Sequence, residues 1–428
     1  MRIVFLSQYF DRVLPPEQNS VGIVSFEIAR RLAADAEVTI LTVGGRRGSR
    51  RTVVDGMTVE QLACAPPRAW SLAADAWSRV RPRARPLYAH SVYAFDYLLH
   101  ALHRIRRLAP DVIHVQNFPQ HVPLIRRAAP QAAIVLHMHC SWLQELDEKA
   151  MARAVNDSDM IVGCSEHVVH GAREKFRALG RRFAVLPNGA PVDVTPPQIR
   201  EPRQPKVLFV GRLSPEKGVH TLLEAWPKVV AAYPQARLEL IGSEGALPQN
   251  MLIDLSDEPD VRDLARFYAA DASYGAHLRA MIPAALAHTV SFRGAVPYAQ
   301  VKRAMSEAAV LVNPSFSESF GMSLIEAMGA ETPVVATDVG GMPDIIKTTG
   351  GGELVPRNDP DALADAMLRR LADPEGGAQM ARRARQAVVE NYAWSRIASL
   401  ARGYHMDAVE ARRRRSEGGL ENRLLKNV

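Results

Sequence analysis

The sequence predicts two doubly wound, Rossmann-like α/β domains, each on a parallel sheet, with strand carboxyl ends lining a cleft between them. Three observations predict this. Apolar runs of strand length alternate with helical patterns along the chain. The alternation stops in Pro187–Pro205, which holds six prolines, and restarts at a new buried run, Lys206–Val210. A chain of 428 residues, 47% of them hydrophobic, can bury more than one core. The chain therefore divides into residues 1–195, residues 196–393, and a C-terminal helix and tail, 394–428, with spare length to cross back to the first domain.

In the first half, Arg2–Phe10 reads as a strand and Val13–Ser20 as a loop. A helix from about Gly22 to Ala34 puts Phe26, Ile28, Ala29 and Leu32 on its apolar side. Glu37–Val43 is a second strand, and Thr52–Ala63 reads as a hairpin turning at Asp55-Gly56. Pro66, Pro67, Pro82 and Pro86 break the next stretch into an irregular excursion carrying Trp70, Trp77 and several arginines. A helix over Val92–Leu108 leads to strands Asp111–Gln116, Ala132–His139, Asp159–Cys164 and Phe183–Leu186.

The second half repeats the scheme with strand Lys206–Val210, a helix near Gly218–Ala232, and strand Arg237–Ile241. An irregular insert, Gly245–Ala287, comes before strand Val290–Phe292, helix Tyr298–Glu307 and strand Ala308–Val312. Strand Pro333–Ala336, a turn at Val339-Gly340-Gly341, the short Glu353–Val355 and helices near Pro360–Ala372 and Gln379–Asn391 close the unit. Trp394–Arg415 is helical and basic, and disorder is expected beyond Ser416.

The net charge of +7, from 53 basic and 46 acidic residues, fits an enzyme of anionic substrates without indicating nucleic acid. Cys64, Cys140 and Cys164 are odd in number and widely spaced, which argues against a disulfide framework and for a reducing compartment. Nothing approaches the roughly 18 apolar residues of a membrane span, and the apolar start is too short for a secretory leader. The cytoplasm is the expected location.

Chemistry concentrates in Asn313–Glu326, N-P-S-F-S-E-S-F-G-M-S-L-I-E. A strand enters this stretch, and a helical pattern leaves it from about Phe320, with Ser319 standing where an N-cap would. The amides of Phe320, Gly321 and Met322 would then lack helical acceptors and face an anion, phosphate above all. Gly321 would let the backbone come close to it. A carboxylate repels phosphate. Glu318 at the helix mouth and Glu326 about two turns inside are therefore suited to sugar hydroxyls, the bland alternative being one capping acid and one solvated acid.

Lys206–Val210 runs into G-R-L-S-P-E-K-G, Gly211–Gly218, which lacks the Gly-Lys-Ser/Thr ending of a nucleoside triphosphatase loop. Arg212 and Lys217 leave a strand's carboxyl end, where two cations could neutralise a diphosphate leaving group without a metal ion. Alone, they would read as surface charges. In L-H-M-H-C, His137 and His139 share one side of a strand, Met138 and Cys140 the other. That trio suggests zinc, although no second Cys or His pair stands at matching spacing.

Together, G-R-L-S-P-E-K-G, E-S-F-G-M-S-L-I-E and P-N-G at Pro187–Gly189 resemble family 4 of the retaining glycosyltransferases, which have the GT-B fold. The resemblance covers most of the chain and is strongest in the second half. It implies a nucleoside diphosphate sugar in the second domain, an acceptor in the first, and no cofactor. Arg212, Lys217 and Gly211 would hold the diphosphate. Glu318 with Ser319, Phe320, Gly321, Met322 and Ser323 would hold the donor sugar, and Glu326 the ribose hydroxyls. The backbone near Arg293-Gly294 would meet the base, and His139 would lie near the sugar with His137 behind it. Attack would come from the face the leaving group vacates. On the acceptor side the family commonly has paired glycines, where this chain reads Asn19-Ser20-Val21-Gly22 and keeps only Gly22. A metal-dependent hydrolase built on His137, His139 and Cys140 is the rival reading, and a non-catalytic nucleotide- or glycan-binding relative is a third.

Asp157-Ser158-Asp159 has the Asp-x-Asp form of metal-dependent transferases but precedes a strand, as a cap or turn does. Asp359-Pro360-Asp361 reads as a helix start. Arg46, Arg47, Arg50 and Arg51 read as solvated. The run Arg412–Arg415 reads as a solvated helix end, which leaves peripheral contact with an anionic membrane open.

Overall fold

β1 (Arg2–Leu6) is buried at every position after Arg2, as a central strand of a parallel sheet must be. The structure is a computed structural model describing residues 1–16, 18–44, 49–65, 67–78, 86–192, 205–245, 248–269 and 272–425. It divides into two compact units, Met1–Pro187 with Ser395–Val428, and Asn188–Trp394. Arg46, Arg47, Pro66, Pro82 and the expected boundary at 195–196 lie outside the described residues.

In the first unit β1 leads to α1 (Ser20–Leu32), β2 (Glu37–Val43) and a hairpin of β3 (Arg50–Val54) and β4 (Met57–Leu62). Asp55 and Gly56 both take positive φ, 49° and 77°, as a tight two-residue hairpin requires. α2 (Pro67–Ser78) fills much of the stretch expected to be irregular, with Pro67 as its first residue, where a missing N–H costs nothing. Then come α3 (Phe95–Leu108), β5 (Val112–Gln116), α4 (Val122–Ala128) and β6 (Ala133–Met138). α5 (Trp142–Glu145), α6 (Glu148–Asp157), β7 (Met160–Gly163), α7 (Glu166–Lys175) and β8 (Phe183–Val185) complete it. The strand order is β3-β4-β2-β1-β5-β6-β7-β8, parallel except for the hairpin. The winding reverses between β1 and β5.

The second unit runs β9 (Lys206–Val210), α8 (Val219–Ala232) and β10 (Arg237–Ile241). The described residues of the insert are not irregular. They fold into short helices, among them α9 (Pro259–Asp263) and α10 (Tyr274–Ala280), and bury Ile253, Val261 and Leu264 with Phe316. β11 (Val290–Gly294), α11 (Tyr298–Glu307), β12 (Val310–Asn313), α12 (Met322–Gly329) and β13 (Val334–Thr337) follow. α13 (Met342–Thr349), which the sequence reading missed, buries Met342, Ile345, Ile346 and Thr349 on one side. β14 (Gly352–Val355), α14 (Pro360–Ala372) and α15 (Pro374–Tyr392) end the unit. Asp359 caps α14 as expected, accepting from the Ala362 amide. All strands are parallel, in the order β11-β10-β9-β12-β13-β14, and the winding reverses between β9 and β12.

α16 (Trp394–Leu425) packs with the first unit and continues past Ser416, where disorder was expected. Its arginine run is not a free basic end. Arg412 donates to the Pro130 carbonyl, and Arg415 donates to the Ser158 carbonyl and pairs with buried Asp159. Arg413 and Arg414 pair along the helix with Glu417 and Glu410. Ser158 closes α6, and Asp159 also accepts the Ile134 amide, so this Asp-Ser-Asp is framework. Among the described residues no helix is long and apolar enough to cross a membrane.

Candidate active site

β9 and β12 are neighbours, so the loops leaving their carboxyl ends, Gly211–Gly218 and Pro314–Gly321, meet where the winding reverses. Backbone locks them together, the amides of Phe316 and Ser317 both donating to the Glu216 carbonyl at 2.8 and 3.4 Å. Gly218, at φ 66°, runs so close to the Pro314 carbonyl that a Cβ would overlap it. On this frame Lys217 Nζ stands 2.7 Å from Glu318 Oε2, with side chains 20% and 16% exposed. Arg212 donates to Glu216 at 2.7 Å and to Ser214 at 3.2 Å, and Ser214 Oγ donates to Glu216 at 2.6 Å. Burial pushes the Glu216 carboxyl up, but Arg212, Lys217 and Ser214 outweigh it and hold it below the usual range.

Ser319 does not cap α12. The N-cap is Gly321, at φ 104° and without a side-chain cap bond. There is also little room for a side chain there: a Cβ at Gly321 would stand 3.0 Å from Met342 Cγ. The helix therefore starts two residues later than expected, its first amides being those of Met322 and Ser323, and Glu326 lies about one turn inside. Phe320 anchors the loop, its buried ring meeting Tyr392 edge-on at 6.0 Å. Asn313 Nδ2 donates to Ser323 Oγ at 3.3 Å. The Glu318 carbonyl accepts the Gly341 amide at 3.1 Å and is overhung by Gly340, where a Cβ would overlap it.

Burial pushes Glu326 up to about 7, against a hydrogen bond from Tyr298 and the charge of Lys302. It lines a cavity of about 220 Å³ with Tyr298, Lys302, Ser306 and Arg385. A carboxyl poised near neutrality can both accept from and donate to a diol. Gly211 donates to the Ile241 carbonyl at 3.0 Å, and the Gly294 carbonyl accepts the Gly242 amide at 2.9 Å. The Arg293 side chain turns to Glu239, 2.7 Å away on the adjacent strand.

In the first unit the amide of His139 donates to Asn117 Oδ1 at 2.6 Å, and its ring Nε2 lies 2.7 Å from Gln116 Oε1. Burial pushes this imidazole down to about 3, so it is neutral at physiological pH. His137 faces the interior, with Nδ1 3.1 Å from His114 Nε2, and His114 Nδ1 lies 2.8 Å from His405 Nε2 on α16. Cys140 Sγ is 3.7 Å from Asn117 Oδ1. Among the described residues no group of three or more His, Cys, Asp or Glu side chains is arranged to hold a metal ion.

Asn19 and Gly22 are framework as the structure places them. Asn19 Oδ1 accepts the Gly22 amide and Nδ2 donates to Asp11, both at 2.9 Å. A Cβ at Gly22 would overlap the Arg12 carbonyl. Asp11 is wholly buried and takes hydrogen bonds from the Gln8 amide (3.0 Å) and Gln8 Nε2 (2.9 Å) as well. Burial pushes its carboxyl up to about 7. Gln8 in turn accepts from Asn117 at 3.0 Å. Sequence reasoning missed Asp11, Gln8, Asn117 and Glu216. Only Glu216 left a local signal, four residues after Arg212.

Residues 195–387 match the family model of glycosyl transferases group 1, and residues 21–194 match that of glycosyltransferase family 4. The phosphatidyl-myo-inositol mannosyltransferase of Mycobacterium tuberculosis is 35% identical over 302 residues, 68% of this chain and 71% of that protein. The chain belongs to glycosyltransferase family 4. Its mannosyltransferase relative in Mycolicibacterium smegmatis is 31% identical over 301 residues, covering 68% of this chain and 69% of the relative. A glycogen synthase of M. tuberculosis is 28% identical over 339 residues, 76% of this chain and 75% of that one. This family 4 glycosyltransferase has the GT-B fold. Sucrose-phosphate synthase from Thermosynechococcus elongatus superposes with a TM-score of 0.69 at 19% identity, covering all of both chains. An α,α-trehalose-phosphate synthase from Burkholderia vietnamiensis gives 0.70 at 14% identity, over 96% of this chain and 99% of that one.

Proposed function

We propose that this glycosyltransferase moves a hexosyl unit from a nucleoside diphosphate sugar to an acceptor hydroxyl, with retained anomeric configuration and without a metal ion. The observation that carries the reading is that the loop bearing Arg212 and Lys217 meets, at the β9–β12 reversal, the loop that bears Glu318 and leads into α12. When the C1–O bond to the diphosphate breaks, negative charge grows on the β-phosphate while the sugar becomes oxocarbenium-like. Arg212, Lys217 and the amides of Met322 and Ser323 stabilise that charge more in the transition state than in the ground state. The acceptor oxygen bonds C1 on the vacated face, and its proton passes to the departing phosphate. Glu216 is buried against Arg212 and Glu318 serves as the counter-ion of Lys217, and neither is offered as a covalent nucleophile. Glu326 holds the ribose hydroxyls, the backbone at Arg293-Gly294 meets the base, and neutral His139 lies near the sugar as a hydrogen-bonding ring.

A thermal-shift screen of UDP-, GDP- and ADP-sugars tests the donor, since a ligand at about 100 times its Kd adds about 2.7 kcal/mol of stability. With the donor found, proton NMR of the product reads the anomer, and turnover in EDTA reads metal dependence. Inverted product, or activity abolished by EDTA and restored by zinc, sinks the reading.

A further inference from the structure

The two cations of the candidate site are paired differently. Glu216, the partner of Arg212, is 2% exposed and also accepts from Ser214, while its own carbonyl holds Phe316 and Ser317. That pair is built into the loop. Glu318, the partner of Lys217, is 16% exposed, and among the described residues no other side-chain contact of its carboxylate stands beside the 2.7 Å bond to Lys217. Its backbone is fixed, because Gly341 donates to its carbonyl and Gly340 is pressed against the same atom. The backbone of Lys217 is fixed by Gly218 against Pro314. Two side chains on immobile backbone can part by rotamer change alone, a fast motion that leaves both loops in place.

We infer that Glu318 is an exchangeable counter-ion of Lys217, leaving it when a diphosphate enters and returning to it to help expel the nucleoside diphosphate after the sugar has gone. The inference rests on the donor reading above. With Arg212 and Lys217 each carrying a carboxylate, the loop pair is nearly neutral, and an anion must compete for Lys217. A nucleotide sugar compensates, because its hydroxyls can donate to the carboxylate that Lys217 has released. A nucleoside diphosphate alone keeps only the ribose hydroxyls, which go to Glu326, lacks those of the transferred sugar, and meets the full competition. Glu318 thereby favours substrate over product at the same cations.

Calorimetric titration with UDP, GDP and ADP, and with their sugars, tests this in the wild type, Glu318→Gln and Glu318→Asp. Removing the carboxylate, or shortening its reach, is expected to tighten the bound nucleoside diphosphate by about twofold to fivefold, the scale of a partly exposed ion pair. The same changes weaken the nucleotide sugar, so the preference for sugar nucleotide over diphosphate falls. In a Lys217→Met background Glu318→Gln no longer tightens the diphosphate. Unchanged or weaker diphosphate binding in both Glu318 variants, with the wild type binding normally, overturns the exchange and leaves the donor reading standing. A wild type that binds none of the three diphosphates overturns both.

Discussion

The loops at the two winding reversals of this chain are held by opposite means. Where β1 and β5 diverge, the loops are tied by buried, mostly neutral groups: Asn19 to Asp11, Asp11 to Gln8, Gln8 to Asn117, and Asn117 to the His139 amide. Where β9 and β12 diverge, the side chains are charged and paired, Arg212 with Glu216 and Lys217 with Glu318. One topology thus carries two kinds of loop support. A neutral network fixes shape without placing net charge there. A set of paired charges on rigid backbone is suited to a ligand whose own charge changes during reaction.

The sharpest way to break this contrast is to remove a cation. Lys217→Ala or Arg212→Ala is expected to lower kcat by about 10²–10³-fold, the cost of losing one preorganised donor to a developing charge. His139→Ala should cost less, since its ring is neutral, and steady-state kinetics on the identified donor compares them. A larger loss at His139 than at Lys217 would reverse the assignment of roles.

Next in size is Asp11. Its folded value, raised from 3.8 to about 7, means the native state binds this proton more tightly than the unfolded chain does. The resulting stability is full below about pH 4 and is lost as pH rises through about 7. Asp11→Asn should remove this pH dependence, so its deficit in unfolding free energy relative to wild type narrows between pH 4 and pH 7, from roughly 2–3 kcal/mol toward zero. Parallel melting curves at several pH values check it, and a deficit that widens refutes it. Glu216→Gln, which weakens a charge-assisted bond to Arg212, should raise the donor KM or lower kcat by about tenfold, with the melting temperature less affected. The smallest effect belongs to Arg413→Ala on α16. An exposed pair with Glu417 is worth under about 0.5 kcal/mol, whereas Arg415→Ala, which strips a partner from buried Asp159, should cost several times more. Denaturant midpoints separate the two.

Much of the second unit was legible because parallel strands buried on both faces appear as unbroken apolar runs. β9, β10, α11 and α14 have the ends the sequence suggested. Arg212, Lys217 and Glu318 were legible as site candidates because they follow such runs at short, fixed spacing. α13 was hidden by glycines on both sides, Gly340-Gly341 before it and Gly350-Gly351 after. The cap of α12 was misread because Ser319 is the better cap by type, while the chain enters the helix through a positive φ at Gly321, which glycine adopts at no cost. The neutral network could not be read, since a lone Gln or Asn carries no local signature. Nor could the histidine contact, whose members His114 and His405 stand 291 positions apart.

That last contact has a consequence for synthesis. His405 is wholly buried beside His114 and Phe5, yet the ribosome makes it after the entire second unit. At about 5–20 residues per second, the N-terminal sheet waits on the order of 10–40 s for its last helix. During that interval the emerging chain exposes apolar surface that α16 will cover. A chain interrupted before α16 would therefore leave uncovered the half of the protein that was translated first.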